Sequence, residues 1–190
     1  MYRAVGLLAA EAGLPLRDEA AVGALAEGLA LRFGWRDGRL RVWVGDRDVT
    51  EAIRTEPAGQ GASAVATLPR VRRALVDRQR ALAAAGGVVM DGRDIGTVVL
   101  PDADLKVFLD AVSRERARRR HAELTERGVA ADLDDVQRDI EARDLQDRSR
   151  ATAPLRCADD AVRLDSTHLE PHAVVAELER LARVAISAAG

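Results

Sequence analysis

The sequence predicts an α/β fold in which a parallel β-sheet is flanked by helices. Two observations carry this. From residue 69 onward, short apolar runs at 88–90, 105–109 and 161–164 alternate with long helical patterns, the order that builds parallel sheets. Ahead of them, residues 29–50 change to a period of two around an Asp37-Gly38 turn signal, so an antiparallel hairpin is inserted into the fold. A chain of 190 residues is expected to form one domain.

The opening MYRAVGLLAAEAG reads as an apolar helix ended by Gly13. It carries Arg3 and Glu11 and no cleavage pattern, which argues against a signal peptide. Residues 18–29 read as a second helix with Val22, Leu25 and Leu29 on one face. Leu29, Leu31 and Phe33, then Leu40, Val42 and Val44, alternate as strands do, and Gly45-Asp46 marks a second turn. Residues 51–68 are Gly-broken and Ala-rich and give no clear pattern. Pro69 opens a helix to about Ala84 with Val71, Leu75 and Leu82 inward, and Gly86-Gly87 ends it. Val88-Val89-Met90 is expected to be a buried strand and 105–109 another. Ser113 is expected to cap a charged helix running to Arg127, closed by Gly128. A further charged helix is expected at 132–147 and a third strand at 161–164. The last helix starts at Pro171, with Val174, Leu178, Leu181 and Ala185 on one face.

Only 3% of residues are aromatic, so the core must be built from Ala, Leu and Val. The 29 basic and 31 acidic side chains nearly cancel, which excludes a basic field over the whole molecule for nucleic acid or membrane. Lys106 is the sole lysine. Arginine grips phosphate with a planar fork, so an Arg-rich chain fits phosphate chemistry. A GC-rich genome gives the same bias, and individual positions must decide. Cys157 stands alone, without a disulfide partner or a zinc set, which fits a reducing cytoplasm. No apolar run approaches the length of a membrane span.

Three clusters carry candidate chemistry. The run Val88 to Thr97 ends an apolar strand in Asp91-Gly92-Arg93-Asp94. Ligands of open parallel sheets bind at the carboxyl ends of strands, so these side chains stand either at the mouth of a site or in a polar surface loop. Arg143, Asp147 and Arg150 fall at i, i+4 and i+7 of one helix face, and the Ala151-Thr152-Ala153-Pro154-Leu155 that follows must stop the helix. That face is either solvated or turned to a cleft. In Ser113-Arg114-Glu115-Arg116-Ala117-Arg118-Arg119-Arg120, five arginines follow a strand closely. An exposed face, a nucleic-acid patch and a phosphate clamp all fit. The lack of interleaved aromatics weakens the second.

The runs DGRDIGTVVLPDADLKVFLDA, SRERARRR, RDLQDRSRATAPL and DAVRLDST resemble bacterial cytidylate kinases in order and spacing, as do IRTEPAGQGASAVATLPRVRRALVDRQR and the opening MYRAV. The resemblance spans residues 1 to about 185. It implies a P-loop nucleoside monophosphate kinase fold, with five parallel strands flanked by helices. It also implies a monophosphate-binding subdomain at about 14–86 enlarged by the hairpin insertion, a lid at about 113–131, and the remainder as core. The implied reaction is transfer of the γ-phosphoryl of ATP, with Mg2+, to CMP or dCMP, in a cytoplasmic monomer with no nucleic-acid or membrane partner. Matched position by position, Ser63, Arg72 and Asp94 fall on the family's cytosine site. Arg143 and Asp147 fall on its ribose contacts. Tyr2, Arg3, Arg93 and Arg150 lie near the monophosphate, and Arg116, Arg119 and Arg120 on the lid. Arg93 and Arg150 join the lid arginines as catalytic candidates, and Asp91 is the candidate acid near magnesium.

The family pattern places a strand, a G-x-x-x-x-G-K-[ST] loop, a helix and a second strand ahead of MYRAV. No such loop occurs in the 190 residues. The chain is therefore expected to be an N-terminally truncated form, from a start assigned at an internal Met, without the P-loop and first strands and inactive as it stands. The alternative is a non-catalytic nucleotide-binding fragment. With the P-loop strand missing from between them, strand 88–90 is expected to lie parallel to 105–109 and 161–164 but apart from them.

Overall fold

The computed structural model describes residues 1–150 and 152–189. The chain folds as two compact units, Met1–Val88 and a second that begins at Val89.

The first unit contains α1 (Tyr2–Glu11), α2 (Glu19–Glu27), β1 (Leu31–Arg36), β2 (Arg39–Val44), β3 (Arg47–Asp48), a 3-10 turn (Ala52–Arg54), α3 (Glu56–Val65) and α4 (Pro69–Ala83). Asp18 caps α2 by accepting from the Ala21 N–H at 3.0 Å. Thr55 caps α3 in the same way through the Ala58 N–H. Val5, Val22, Val65, Val71 and Leu75 are wholly buried where these helices meet. The side chains are small, so helices can approach closely. At the α1–α3 crossing, a Cβ on Gly6 would lie 2.7 Å from the Gly61 carbonyl carbon, so backbone meets backbone there. Leu82, expected inward, is 47% exposed. The 15-residue α4 outruns its 9-residue partner α2, and its last turn projects past the core.

β1 and β2 pair antiparallel from Leu31↔Val44 to Arg36↔Arg39. Asp37 and Gly38 both take positive φ, 53° and 69°, as a two-residue turn matched to strand twist requires. Leu31, Phe33 and Trp35 share one face with Val44, Val42 and Leu40. The segment 51–68, which showed no pattern, is mostly α3. Its Gly59 and Gly61 are positions where α1 comes close.

The second unit contains a π-helical turn (Ile95–Val99), β4 (Val107–Asp110), α5 (Ser113–Glu126), α6 (Leu133–Ser149), β5 (Val162–Asp165) and α7 (Pro171–Ala189). β4 and β5 are parallel, in register from Val107↔Val162 to Asp110↔Asp165. The strands expected at 105–109 and 161–164 thus form and pair as expected, slightly later in the chain. Residues 88–90 do not form the expected strand. Val89 is 100% exposed, and no described strand runs beside it to take its N–H and C=O groups. The parallel sheet accordingly has two strands among the described residues rather than five.

Ser113 is not a cap. It is the first residue of α5, with Val112 at the N-cap, and its hydroxyl donates to Glu141 of α6 at 2.7 Å. Asp132 does cap α6, accepting from the Asp134 and Asp135 N–H groups. Among the described residues, no helix is long and apolar enough to cross a membrane.

Candidate active site

In the first unit, Tyr2 and Arg3 occupy the first turn of α1. Arg3 Nη1 donates to the carbonyls of Ile53 at 3.0 Å and Thr55 at 3.3 Å. Its guanidinium lies against Gly59, where a Cβ would come within 3.4 Å of Nη2. Ser63 is one turn further along the same stripe of α3, so α1 and α3 set Arg3 and Ser63 on one surface. Arg72 is 6% exposed on α4, between the buried Val71 and Leu75.

In the second unit, α6 organises the charges. Asp144 and Asp147 are both buried and sit three residues apart on one face. Asp147 Oδ2 meets Arg93 Nε at 3.1 Å and Oδ1 meets Arg150 Nη2 at 2.5 Å. Arg150 is not within the helix as its spacing suggested. It is the C-cap residue, with ψ at 134°, and reaches back to Asp147. The chain then returns to α6 through a Leu155 N–H bond to the Asp147 carbonyl. Ala151, the first residue of the expected stop, lies outside the described residues.

Asp144 grips Arg116 of α5 with both oxygens, at 3.1 and 2.6 Å, while Arg116 Nε donates to the Ala111 carbonyl. That bidentate pair raises the Arg116 pKa above its ordinary value, against the opposing effect of burial. Hydrogen bonds from Gln137 and Ser113, with Arg116 nearby, hold the Glu141 carboxyl below the usual range.

A cavity of about 570 Å³ lies at the carboxyl ends of β4 and β5, against the start of α5 and the face of α6. Arg116, Arg148, Arg163, Asp110, Glu141 and Asp144 line it. This is where an open parallel sheet places its ligand.

Arg93, Arg116, Asp147 and Arg150 are thus joined along α6 through two carboxylates. Arg143 is half-buried on the same helix. Asp94 is 8% exposed, and its carbonyl anchors the π-helical turn by accepting from Val98 and Val99. Asp91 is exposed. Arg119 and Arg120 point elsewhere. Arg119 donates to the Ser166 carbonyl, the Ser166 hydroxyl and the Leu169 carbonyl and pairs with Glu115. Arg120 pairs with Glu123. Lys106 lies just before β4 and pairs with Asp160 at 2.6 Å. Sequence reasoning missed Asp144, Arg148 and Arg163. The i,i+3 spacing of Asp144 from Asp147 was the available signal for the first. The strand-to-helix geometry that exposes the other two leaves no mark in the sequence.

The cytidylate kinase family model matches residues 1–184. The chain belongs to the cytidylate kinase family. The cytidylate kinase of Exiguobacterium sibiricum is 50% identical over 186 residues, covering 98% of this chain and 83% of the relative. That of Saccharophagus degradans is 48% identical over 184 residues, covering 96% and 82%. That of Pasteurella multocida is 42% identical over 177 residues, covering 93% and 78%. All the candidate residues lie within the stretch that the cytidylate kinase model matches.

Proposed function

We propose that this site takes CMP or dCMP as phosphoryl acceptor and ATP as donor, giving CDP or dCDP and ADP. The observation that carries the reading is Asp147 with Arg93 and Arg150, a prearranged guanidinium pair in a chain of this family. A phosphate dianion needs such a pair, because charge-assisted bidentate bonds hold it in one orientation. The family resemblance adds Tyr2 and Arg3 on the monophosphate and Arg143 with Asp147 on the ribose. It puts Ser63, Arg72 and Asp94 on the base. Cytosine fits that trio, since its amino group donates to a carboxylate or hydroxyl oxygen while its ring nitrogen and carbonyl accept from a guanidinium.

An acceptor phosphate oxygen attacks the γ-phosphorus, the bond to the β,γ-bridging oxygen breaks, and ADP leaves. Catalysis is positioning and charge stabilisation. Arg116 supplies a fixed cation, already oriented by Asp144. Arg119 and Arg120 belong to the lid, and to reach ATP they must exchange their present acceptors. When bound with ATP, magnesium would supply charge neutralisation on the phosphates. The donor set suits an ion held mainly by the nucleotide. The exposed Asp91 is the carboxylate that would enter its shell.

The 190 residues contain no G-x-x-x-x-G-K-[ST] loop to cradle the donor phosphates. We therefore expect residues 1–190 alone to bind nucleotide without turning it over, and the chimera below separates a kinase lacking this loop from the alternative, a non-catalytic nucleotide-binding fragment. A coupled ADP-release assay with ATP, CMP and Mg2+ tests this. The chain alone gives no rate above blank. A chimera carrying the N-terminal element of the Exiguobacterium relative ahead of Met1 forms CDP. Turnover by the chain alone overturns the dependence on the loop, and a chimera that folds but is silent overturns the acceptor-site reading.

A further inference from the structure

The outer face of the β1–β2–β3 sheet carries a charge that the kinase site does not use. Its rungs are Arg32–Trp43, Gly34–Arg41 and Arg36–Arg39, so four arginines share the face with one acid, Asp48, which lies opposite Trp43. Asp48 is already engaged, by the Thr50 N–H at 2.8 Å and by Arg41 at 3.5 Å. Arg36 and Arg39 are exposed and directly opposed, and neither forms an ion pair among the described residues. Like charges at opposed positions destabilise a sheet. Arg41 Nε is buried without a hydrogen-bond partner.

The same face holds an aromatic platform. The Arg32 guanidinium lies 4.4 Å from the Trp43 ring centroid. The indole in turn rests on Gly34, where a Cβ would come within 3.2 Å of it. Trp43 thus steadies an exposed guanidinium over its ring.

We propose that this face is a binding surface for single-stranded polynucleotide. Guanidinium groups take the phosphates, and the Arg32–Trp43 stack takes a base, since bases stack on both aromatic rings and guanidinium planes. Successive rungs are about 7 Å apart, two residues of strand, so the face presents cations in a row rather than one pocket. A single mononucleotide would leave part of that row uncompensated. An anionic membrane fits worse, because the hairpin's exposed apolar pair, Trp35 and Leu40, lies on the opposite face from the arginines. The near balance of 29 basic and 31 acidic residues rules out a field over the whole molecule but not a patch on one sheet. The aromatic missing from the arginine helix α5 is present here.

The test is fluorescence anisotropy of a fluorescein-labelled 12-nucleotide oligouridylate titrated with the chain at several salt concentrations. Saturable binding is expected at low salt, with log K falling against log salt by about 0.7 per phosphate contact. Arg36→Glu should weaken binding tenfold or more while raising the thermal midpoint, because Glu then faces Arg39 as an attractive pair. Arg32→Ala should weaken it about tenfold through lost stacking. Trp35→Ser, on the other face, should leave affinity unchanged. The proposal is overturned by no saturable binding at low salt, by full affinity in Arg36→Glu, by an equal loss in Trp35→Ser, or by phosphatidylserine vesicles competing the oligonucleotide away.

Discussion

Asp147 is 6% exposed and bridges two guanidinium groups that come from outside its helix, from the loop at Arg93 and the cap at Arg150. Removing its charge while keeping its shape leaves both cations without their shared partner. Asp147→Asn should lower the unfolding free energy by about 1–3 kcal/mol, at the modest end because Arg93 is 58% exposed. Urea denaturation measures this, and a neutral result would mean that the two arginines find other acceptors. Much of this cluster was legible, because i and i+4 positions share a face and Asp-Gly-Arg-Asp after an apolar run marks a loop near a sheet end. Asp144 was legible only through its i,i+3 spacing from Asp147, which puts both on one face; nothing in the sequence pairs it with Arg116. Nor does the sequence show that the donors of Arg119 are taken by carbonyls beyond β5.

Helices and turns with a strong local signal formed where expected: α2 behind Asp18, α4 behind Pro69, and the hairpin at Asp37-Gly38. α3 was illegible because its glycines, placed where α1 comes close, weaken the helix signal. That choice can be tested at its tightest point. A Cβ on Gly6 would sit 2.7 Å from backbone of α3, which cannot swing aside as a side chain can. Gly6→Ala should destabilise the first unit by about 1–3 kcal/mol despite the better helix propensity of Ala. A denaturation midpoint at or above wild type would show that the helices can part at no cost. Residues 88–90 failed for the opposite reason: their apolar composition is right, but a strand exists only by pairing, and composition does not report whether a partner lies beside it.

Across the whole molecule, exposed ion pairs tie elements together: Glu11 to Arg47, Glu27 to Arg70, Asp134 to Arg114 and Asp160 to Lys106. In each, a hydrogen bond from the cation holds the carboxyl below its ordinary value of 4.5 for Glu or 3.8 for Asp. A lowered folded-state pKa means the folded form binds fewer protons than the unfolded form. The pairs therefore add stability above the ordinary carboxylate values, and that contribution is lost as pH falls through and below them. Thermal midpoints should be level from about pH 7 to pH 5, fall below about pH 4.5, and fall less steeply at high salt. A midpoint that rises on acidification would contradict these pairings. The α/β class and the parallel β4–β5 pair were legible from alternation alone.

The most direct measurement is calorimetric titration of residues 1–190 with CMP and, separately, with AMP. If Ser63, Arg72 and Asp94 take the base as proposed, CMP binds at least about tenfold more tightly than AMP, because adenine does not reproduce cytosine's pattern of donors and acceptors. Asp94→Asn should remove that preference. Equal heats for the two nucleotides, or a CMP preference that survives Asp94→Asn, would contradict the cytosine site on which the proposed function rests.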